Sequence, residues 1–214
     1  MPASRARPAR PGRGGGGTDV TGLVVVKLGG GLGRVPGALA EAGRAVAEAA
    51  RGQPLLIVPG GGALADAVRA LDRELALPAA TAHWMAILAM DQYAQAIAAH
   101  VPNGVVVHDR VEMRSALEQG RIPVLAPYRW MLAVDALPHR WEVTSDSIAA
   151  FVAGALDARL LVLLKPVGGP VEALVDPCFG EIRPVGLEVA VVGAGELGRL
   201  ASVVTGRTGA AEGD

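Results

Sequence analysis

Leu23-Val24-Val25-Val26-Lys27-Leu28-Gly29-Gly30-Gly31-Leu32-Gly33-Arg34 decides the fold of this chain. An apolar run carrying one lysine opens directly into four glycines. Val and Leu at consecutive positions leave no polar face, which predicts a parallel strand buried on both sides. A charge inside such a strand needs a partner, because an unpaired buried charge is expensive. The glycines leave backbone N–H groups able to approach an anion, ahead of a predicted helix start near Pro36. Strand, lysine, glycine turn and helix in this order make a place where phosphate can sit.

Of the 20 Lys and Arg residues only Lys27 and Lys165 are lysine; the other 18 are arginine. A chain that uses arginine wherever a cation will serve has kept lysine at two places, and the compact ammonium is not equivalent to the guanidinium fork. Lys165 closes a second apolar run, Leu160–Leu164, and precedes Gly168 and Gly169. Both lysines therefore sit on predicted strands beside glycine turns.

Working outward, Pro36 to Arg51 reads as a helix. Pro54–Val58 reads as a second strand ending in Pro59-Gly60-Gly61-Gly62, followed by a helix through Ala65, Val68, Ala70 and Leu71. Strand, glycine turn and helix thus occur twice, which predicts βαβ units and a parallel sheet. A long helix is expected over 82–100, strands over 104–107, 122–126, 160–164 and 188–192, and a short helix over 111–119. Residues 128–143 read as a loop. Thr144-Ser145-Asp146-Ser147 carries helix-capping residues at the start of a helix running to Leu156. The expected fold is a three-layer α/β/α sandwich around an open, mainly parallel sheet, with one domain over 20–208. Residues 1–19, rich in Arg, Pro and Gly, are expected to be a disordered tail without the apolar segment of a secretory signal, and 209–214 a disordered C-terminus.

Composition narrows the function. A net charge of −1 argues against nucleic-acid binding over the whole surface. No apolar run reaches membrane-spanning length. One cysteine, Cys178, excludes an internal disulfide framework and fits a reducing, cytoplasmic compartment. Gly193-Ala194-Gly195-Glu196-Leu197-Gly198 fits a dinucleotide fingerprint after a strand but lacks the second strand and acidic residue that the site needs. Neither lysine is preceded by glycine, so a P-loop is excluded. The four histidines show no metal-ligand spacing, and no metal site is expected.

In an open parallel sheet ligands bind outside the carboxyl ends of the strands. Lys27, Gly60–Gly62 and Lys165 all fall at such ends, and Asp146 opens a helix. Lys27-Leu28-Gly29-Gly30, Gly60-Gly61-Gly62 and Asp146-Ser147-Ile148-Ala149, in this order, resemble the signatures of the amino-acid kinase family, which includes acetylglutamate, aspartate, uridylate and isopentenyl phosphate kinases. Three longer stretches, Val58–Gly62, Ala82–Tyr93 and Trp141–Ala150, resemble a branch of methanofuran-type cofactor biosynthesis in C1 metabolism, whose kinases phosphorylate aminomethylfuranylmethyl phosphate to a diphosphate.

The resemblance implies an ATP-dependent phosphotransferase in which Mg2+ rides on the nucleotide. It implies that Lys27 stabilises the transferring phosphoryl group, that Lys165, Gly168 and Gly169 hold the nucleotide, and that Asp146 orients both lysines. It further implies that Gly29, Gly30, Gly60, Gly61 and Gly62 offer N–H groups to phosphate, and that Arg69, His83 and Asp91 contact the acceptor. Three departures bear on the nucleotide: Pro166-Val167-Gly168-Gly169 stands where relatives carry aspartate-glycine, Gly193-Ala194 where many carry asparagine-glycine, and Gly206-Arg207-Thr208 where many carry Gly-Thr. A carboxylate or nucleoside monophosphate acceptor, or a non-catalytic binding protein on the same fold, stays open. The apolar positions of the 84–99 helix spread over more than one stripe, which predicts a homo-oligomer with one side covered by a partner.

Overall fold

A computed structural model of the protein describes residues 20–206. The expectations for the two tails, and the last residues of the expected domain, lie outside this range. Six strands form one sheet: β1 (Val24–Leu28), β2 (Leu55–Pro59), β3 (Gly104–Val107), β4 (Ile122–Leu125), β5 (Leu160–Lys165) and β6 (Glu188–Gly193). Their order is β3-β4-β2-β1-β5-β6, and every pairing is parallel. Central β1 has β2 on one side and β5 on the other. Such a reversal of strand order opens a crevice at the carboxyl ends.

Among the described residues nine α-helices accompany the sheet: α1 (Ala38–Ala49), α2 (Gly62–Leu75), α3 (Ala79–His100), α4 (Arg110–Glu118), α5 (Tyr128–Val134), α6 (Ser145–Ala155), α7 (Val171–Leu174), α8 (Phe179–Ile182) and α9 (Leu200–Thr205). Side chains alternate along each strand, and two cores result. Val25, Leu56, Val58, Leu161 and Leu163 face α4, α5, α6 and α8 through Met113, Met131, Ile148 and Phe179. Val24, Val26, Leu55, Ile57 and Val162 face α1 and α9 through Val46, Leu200 and Val204. This is the three-layer sandwich that the alternation of strands and helices predicts.

Two local features differ from expectation. Residues 128–143 are not all loop, because α5 forms at their start. Its first N–H, from Tyr128, donates to Asp91 Oδ1 at 2.9 Å, a cap that lies 37 residues upstream and leaves no local signal. The helix expected from Pro36 begins at Ala38, after a 3-10 turn over Gly30–Arg34. Much of the apolar surface of α3 is used within the chain: Ile87 and Met90 belong to one core, Ala94 and Ile97 to the other. Part of its width therefore reflects two internal contacts, while Leu88 stays exposed. Among the described residues no helix is long and apolar enough to cross a membrane.

Candidate active site

The period-2 alternation that builds the sheet also places the charges. Lys27 follows Leu23 and Val25 on the α6 face of β1, and Lys165 follows Leu161 and Leu163 on the same face of β5. Lys27 pairs in register with Leu163, so Lys165 lies two positions further along the neighbouring strand. Asp146, at the start of α6, meets both. Its Oδ1 is 2.9 Å from Lys27 Nζ, and its Oδ2 accepts a hydrogen bond from Lys165 Nζ at 2.6 Å. The side chains of Lys27 and Asp146 are 5% and 6% exposed, and that of Lys165 is 13% exposed. Lys165 Nζ also donates to the carbonyl of Leu174 at 2.7 Å.

Two ammonium groups share the Asp146 carboxylate, and the buried Asp176 lies within electrostatic reach of Lys27. Burial alone would raise Asp146, but Lys27 and Lys165 outweigh it and hold the carboxyl below its ordinary range. Burial, aided by repulsion from Lys165, pulls Lys27 below the usual lysine value although Asp146 opposes the shift.

The glycines divide into two groups. Gly29 N–H donates to Leu164 O at 3.0 Å and Gly60 N–H to Leu28 O at 2.8 Å, so these two tie the loops to the sheet and are not free for phosphate. This corrects the expectation for both. Gly30, Gly61 and Gly62 line a cleft of about 700 Å3 together with Gly31. A Cβ on Gly30 would lie 2.3 Å from Gly62 N, and one on Gly60 2.5 Å from Gly30 N, so the two turns touch through their backbones. Gly62 opens α2, a helix of 14 residues whose first N–H groups point out of the helix. Gly30, Gly31, Gly61 and Gly62 thus gather with the start of α2 at one edge of the cleft, an arrangement of backbone able to approach an anion.

Arg34, Arg69, Asp72, His83, Arg140 and Trp141 also line the cleft. Asp66 pairs with Arg34 and Arg69, and the Arg69 guanidinium lies 4.8 Å from the Trp141 ring centroid. Trp141 Nε1 donates to Asp72 Oδ2 at 2.7 Å, which pins the aromatic wall to α2. The His83 ring stacks on His139 at 4.4 Å, and His139 Nε2 lies 2.7 Å from Asp135 Oδ1. Burial, with help from the charge of His139, lowers His83 to about 4, so its imidazole is neutral at ordinary pH. Asp91 does not join this group. It is spent on the N–H of Tyr128 outside the cleft lining.

Gly168 and Gly169 follow β5 at a second glycine junction. There a Cβ on Gly193 would lie 2.5 Å from Gly168 N, and one on Gly168 would lie 2.9 Å from Glu196 Oε2. Glu196 Oε2 accepts from Gly193 N–H at 3.3 Å and pairs with Arg199 at 3.2 Å. Two acids of this edge escape a reading of the sequence. Glu196 is hidden inside the rejected fingerprint. Asp176 is buried against the start of α6, and its one local hint is that an Asp-Pro pair follows α7.

Comparison with known proteins bears on this geometry. Residues 22–169 match the model of the amino acid kinase family. The chain is 29% identical over 115 residues to (5-(aminomethyl)furan-3-yl)methyl phosphate kinase of Methanocaldococcus jannaschii, a match covering 54% of this chain and 53% of that protein. It is 38% identical over 61 residues to acetylglutamate kinase of Methanosarcina mazei, covering 28% of this chain and 20% of that one. The chain thus spans about half and a fifth of these two relatives. Among solved structures, uridylate kinase of Archaeoglobus fulgidus superposes with a TM-score of 0.65 at 19% identity, covering 86% of this chain and 95% of that one. UMP kinase of Bacillus anthracis gives 0.60 at 15% identity, covering 86% and 92%. At these identities the likeness to solved structures is one of fold.

Proposed function

This chain belongs to the amino acid kinase family, and on that premise we propose that it transfers the γ-phosphoryl group of ATP to a phosphate monoester of the (5-(aminomethyl)furan-3-yl)methyl phosphate class. The observation that carries the reading is the buried Lys27–Asp146–Lys165 cluster beside the glycine turns. A phosphate oxygen of the acceptor attacks the γ-phosphorus, the bond from that phosphorus to the bridging oxygen of ADP breaks, and the products are ADP and a diphosphate. Little covalent chemistry falls to the protein, so positioning and charge neutralisation carry the rate. Lys27 and Lys165 supply point charges where negative charge accumulates, and Asp146 fixes their direction. Gly30, Gly31, Gly61 and Gly62 offer N–H groups to phosphate oxygens. The neutral His83 and the Trp141–Arg69 wall face the body of the acceptor.

The residues fit a nucleotide-borne metal. No group of three or more His, Cys, Asp or Glu among the described residues is arranged to hold an ion, and Mg2+ keeps phosphates and waters as ligands, so it enters with ATP as part of the substrate. Gly168, Gly169 and Lys165 lie on the nucleotide side. A second copy of the chain is the proposed partner, through α2 rather than α3, because Leu64, Leu71 and Leu75 are exposed along one face of α2. Sedimentation of the wild type against Leu71→Glu tests this, with a dimer expected and a monomeric wild type counting against it.

Coupled ADP release across a panel of acceptors tests the activity. Turnover is expected with the aminomethylfuran phosphate and not with acetylglutamate or UMP. Preference for a carboxylate or a nucleoside monophosphate would reassign the acceptor, and no ADP release with any of them would remove the kinase reading.

A further inference from the structure

Asp176 lies in the segment between α7 and α8 and belongs to none of the three motifs on which the kinase reading rests. It is buried, and its carboxylate accepts five hydrogen bonds. Oδ2 takes Thr144 N–H at 3.2 Å, Thr144 Oγ1 at 2.8 Å and Ser147 N–H at 3.0 Å. Oδ1 takes Ser147 Oγ at 2.6 Å and Cys178 N–H at 3.1 Å. Four of these come from residues that flank Asp146 in sequence. Thr144 is the N-cap of α6 and Ser147 its third residue, so the clamp closes on both sides of the one carboxylate that meets both lysines. The residue that ends α7, just before this segment, holds Lys165: its Nζ donates to the carbonyl of Leu174.

A helix of 11 residues with Thr144 already at its cap does not need four further bonds to a distant acid to form. What the arrangement adds is direction. With Thr144 and Ser147 fixed, the backbone of Asp146 has no freedom to turn, and its two oxygens stay divided between Lys27 and Lys165. Asp176 also stands within electrostatic reach of Lys27 and favours its charged form, alongside Asp146 and against Lys165. We infer that Asp176 is a positioning residue that locks the start of α6, and with it Asp146, so that each ammonium group is held on its own oxygen of the one carboxylate. The kinetic part of this inference rests on the proposed function; the structural part does not.

The composition of the chain offers a direct readout. Its only two lysines are Lys27 and Lys165, so full-length protein labelled with 13C,15N-lysine gives two side-chain signals, both from the site. We expect Asp176→Asn to move both signals and to make Lys27 release its proton at lower pH than in wild type. Asp176→Glu, which keeps the charge but displaces it by one methylene, should move the signals while largely retaining that proton affinity. Ser147→Ala, which removes one of the five bonds, should shift them in the same direction by less, and covers the case in which Asp176→Asn does not fold. In ADP release, kcat should fall tenfold or more in Asp176→Asn while both KM values stay within about twofold. Lower melting temperatures with unchanged lysine signals in both Asp176→Asn and Ser147→Ala would overturn the inference and leave Asp176 a helix cap. Altered signals in a protein whose wild type releases no ADP would uphold the positioning role and reject the kinase reading.

Discussion

At the junction of the turns after β1 and β2, a Cβ on Gly30 would come within 2.3 Å of Gly62 N. At the junction after β5 and β6, a Cβ on Gly193 would come within 2.5 Å of Gly168 N. Both places need glycine for the same reason, that two backbones touch where parallel strands end. They differ in what fills the space above. At the first, Gly30, Gly31, Gly61 and Gly62 open on a cleft and stand next to the start of α2. At the second, the Glu196 carboxylate takes Gly193 N–H and lies against Gly168. Glycine in such a turn is thus required first by packing, and becomes an anion site only where nothing in the chain claims its N–H. The same distinction operates inside the first junction, where Gly29 and Gly60 spend theirs on the sheet.

Each junction carries a lysine, and the sharpest test of their unequal use is at those residues. Lys27→Arg should lower phosphoryl transfer a hundredfold or more, because the wider fork cannot replace a point charge whose Nζ would lie 3.6 Å from a Cβ on Gly29. Lys165→Arg should lose less, since its side chain is the more exposed of the two. Steady-state ADP release with parallel melting curves checks this, and near-normal turnover in both variants would make the lysines remnants of composition.

Alanine scanning of the glycines comes next. Gly30→Ala must displace backbone and should cost about 1–3 kcal/mol of stability, as overpacking does, and at least tenfold in rate. Gly168→Ala meets the flexible end of Glu196 and should be mild. Equal losses at both positions would erase the difference between the junctions.

A smaller effect is expected from pH. His83 binds a proton near 6.5 when unfolded but only near 4 in the fold, so between those values the unfolded state takes up more protons. Stability from this residue is therefore complete above pH 6.5 and is lost as pH falls toward 4, by roughly 2 kcal/mol at pH 5 and about 3 kcal/mol at pH 4. Melting temperatures should drop by several degrees between pH 7.5 and 5, and His83→Gln should flatten that slope. Asp146 contributes with the depressed-carboxyl sign: its stabilisation is present above about 3.8 and is lost only as pH falls through its lower folded value. An unchanged slope in His83→Gln would reassign the acid sensitivity.

The smallest predicted change is at the second junction. Glu196→Gln keeps an acceptor for Gly193 N–H and removes a negative charge from the nucleotide side. The KM for ATP should fall by a few-fold with kcat nearly constant. A rise would show that Glu196 is needed to hold the loop after β6.

Sequence alone determined the alternating elements, because a strand buried on both faces must be apolar throughout and a helix against it must be amphipathic, and both patterns are local. It also singled out Lys27, Lys165 and Asp146, since charge in an apolar strand and an acid at a helix start are visible one residue at a time. Only the tertiary structure decided which glycine N–H groups are free, because their partners, Leu164 and Leu28, lie on neighbouring strands. It alone removed Asp91 from the cleft by giving it the N–H of Tyr128, and it alone brought Asp176 to Thr144 and Ser147. The physical reason is common to all three: a hydrogen bond between residues far apart in the chain has no periodicity, and its geometry exists only once the sheet has set the register.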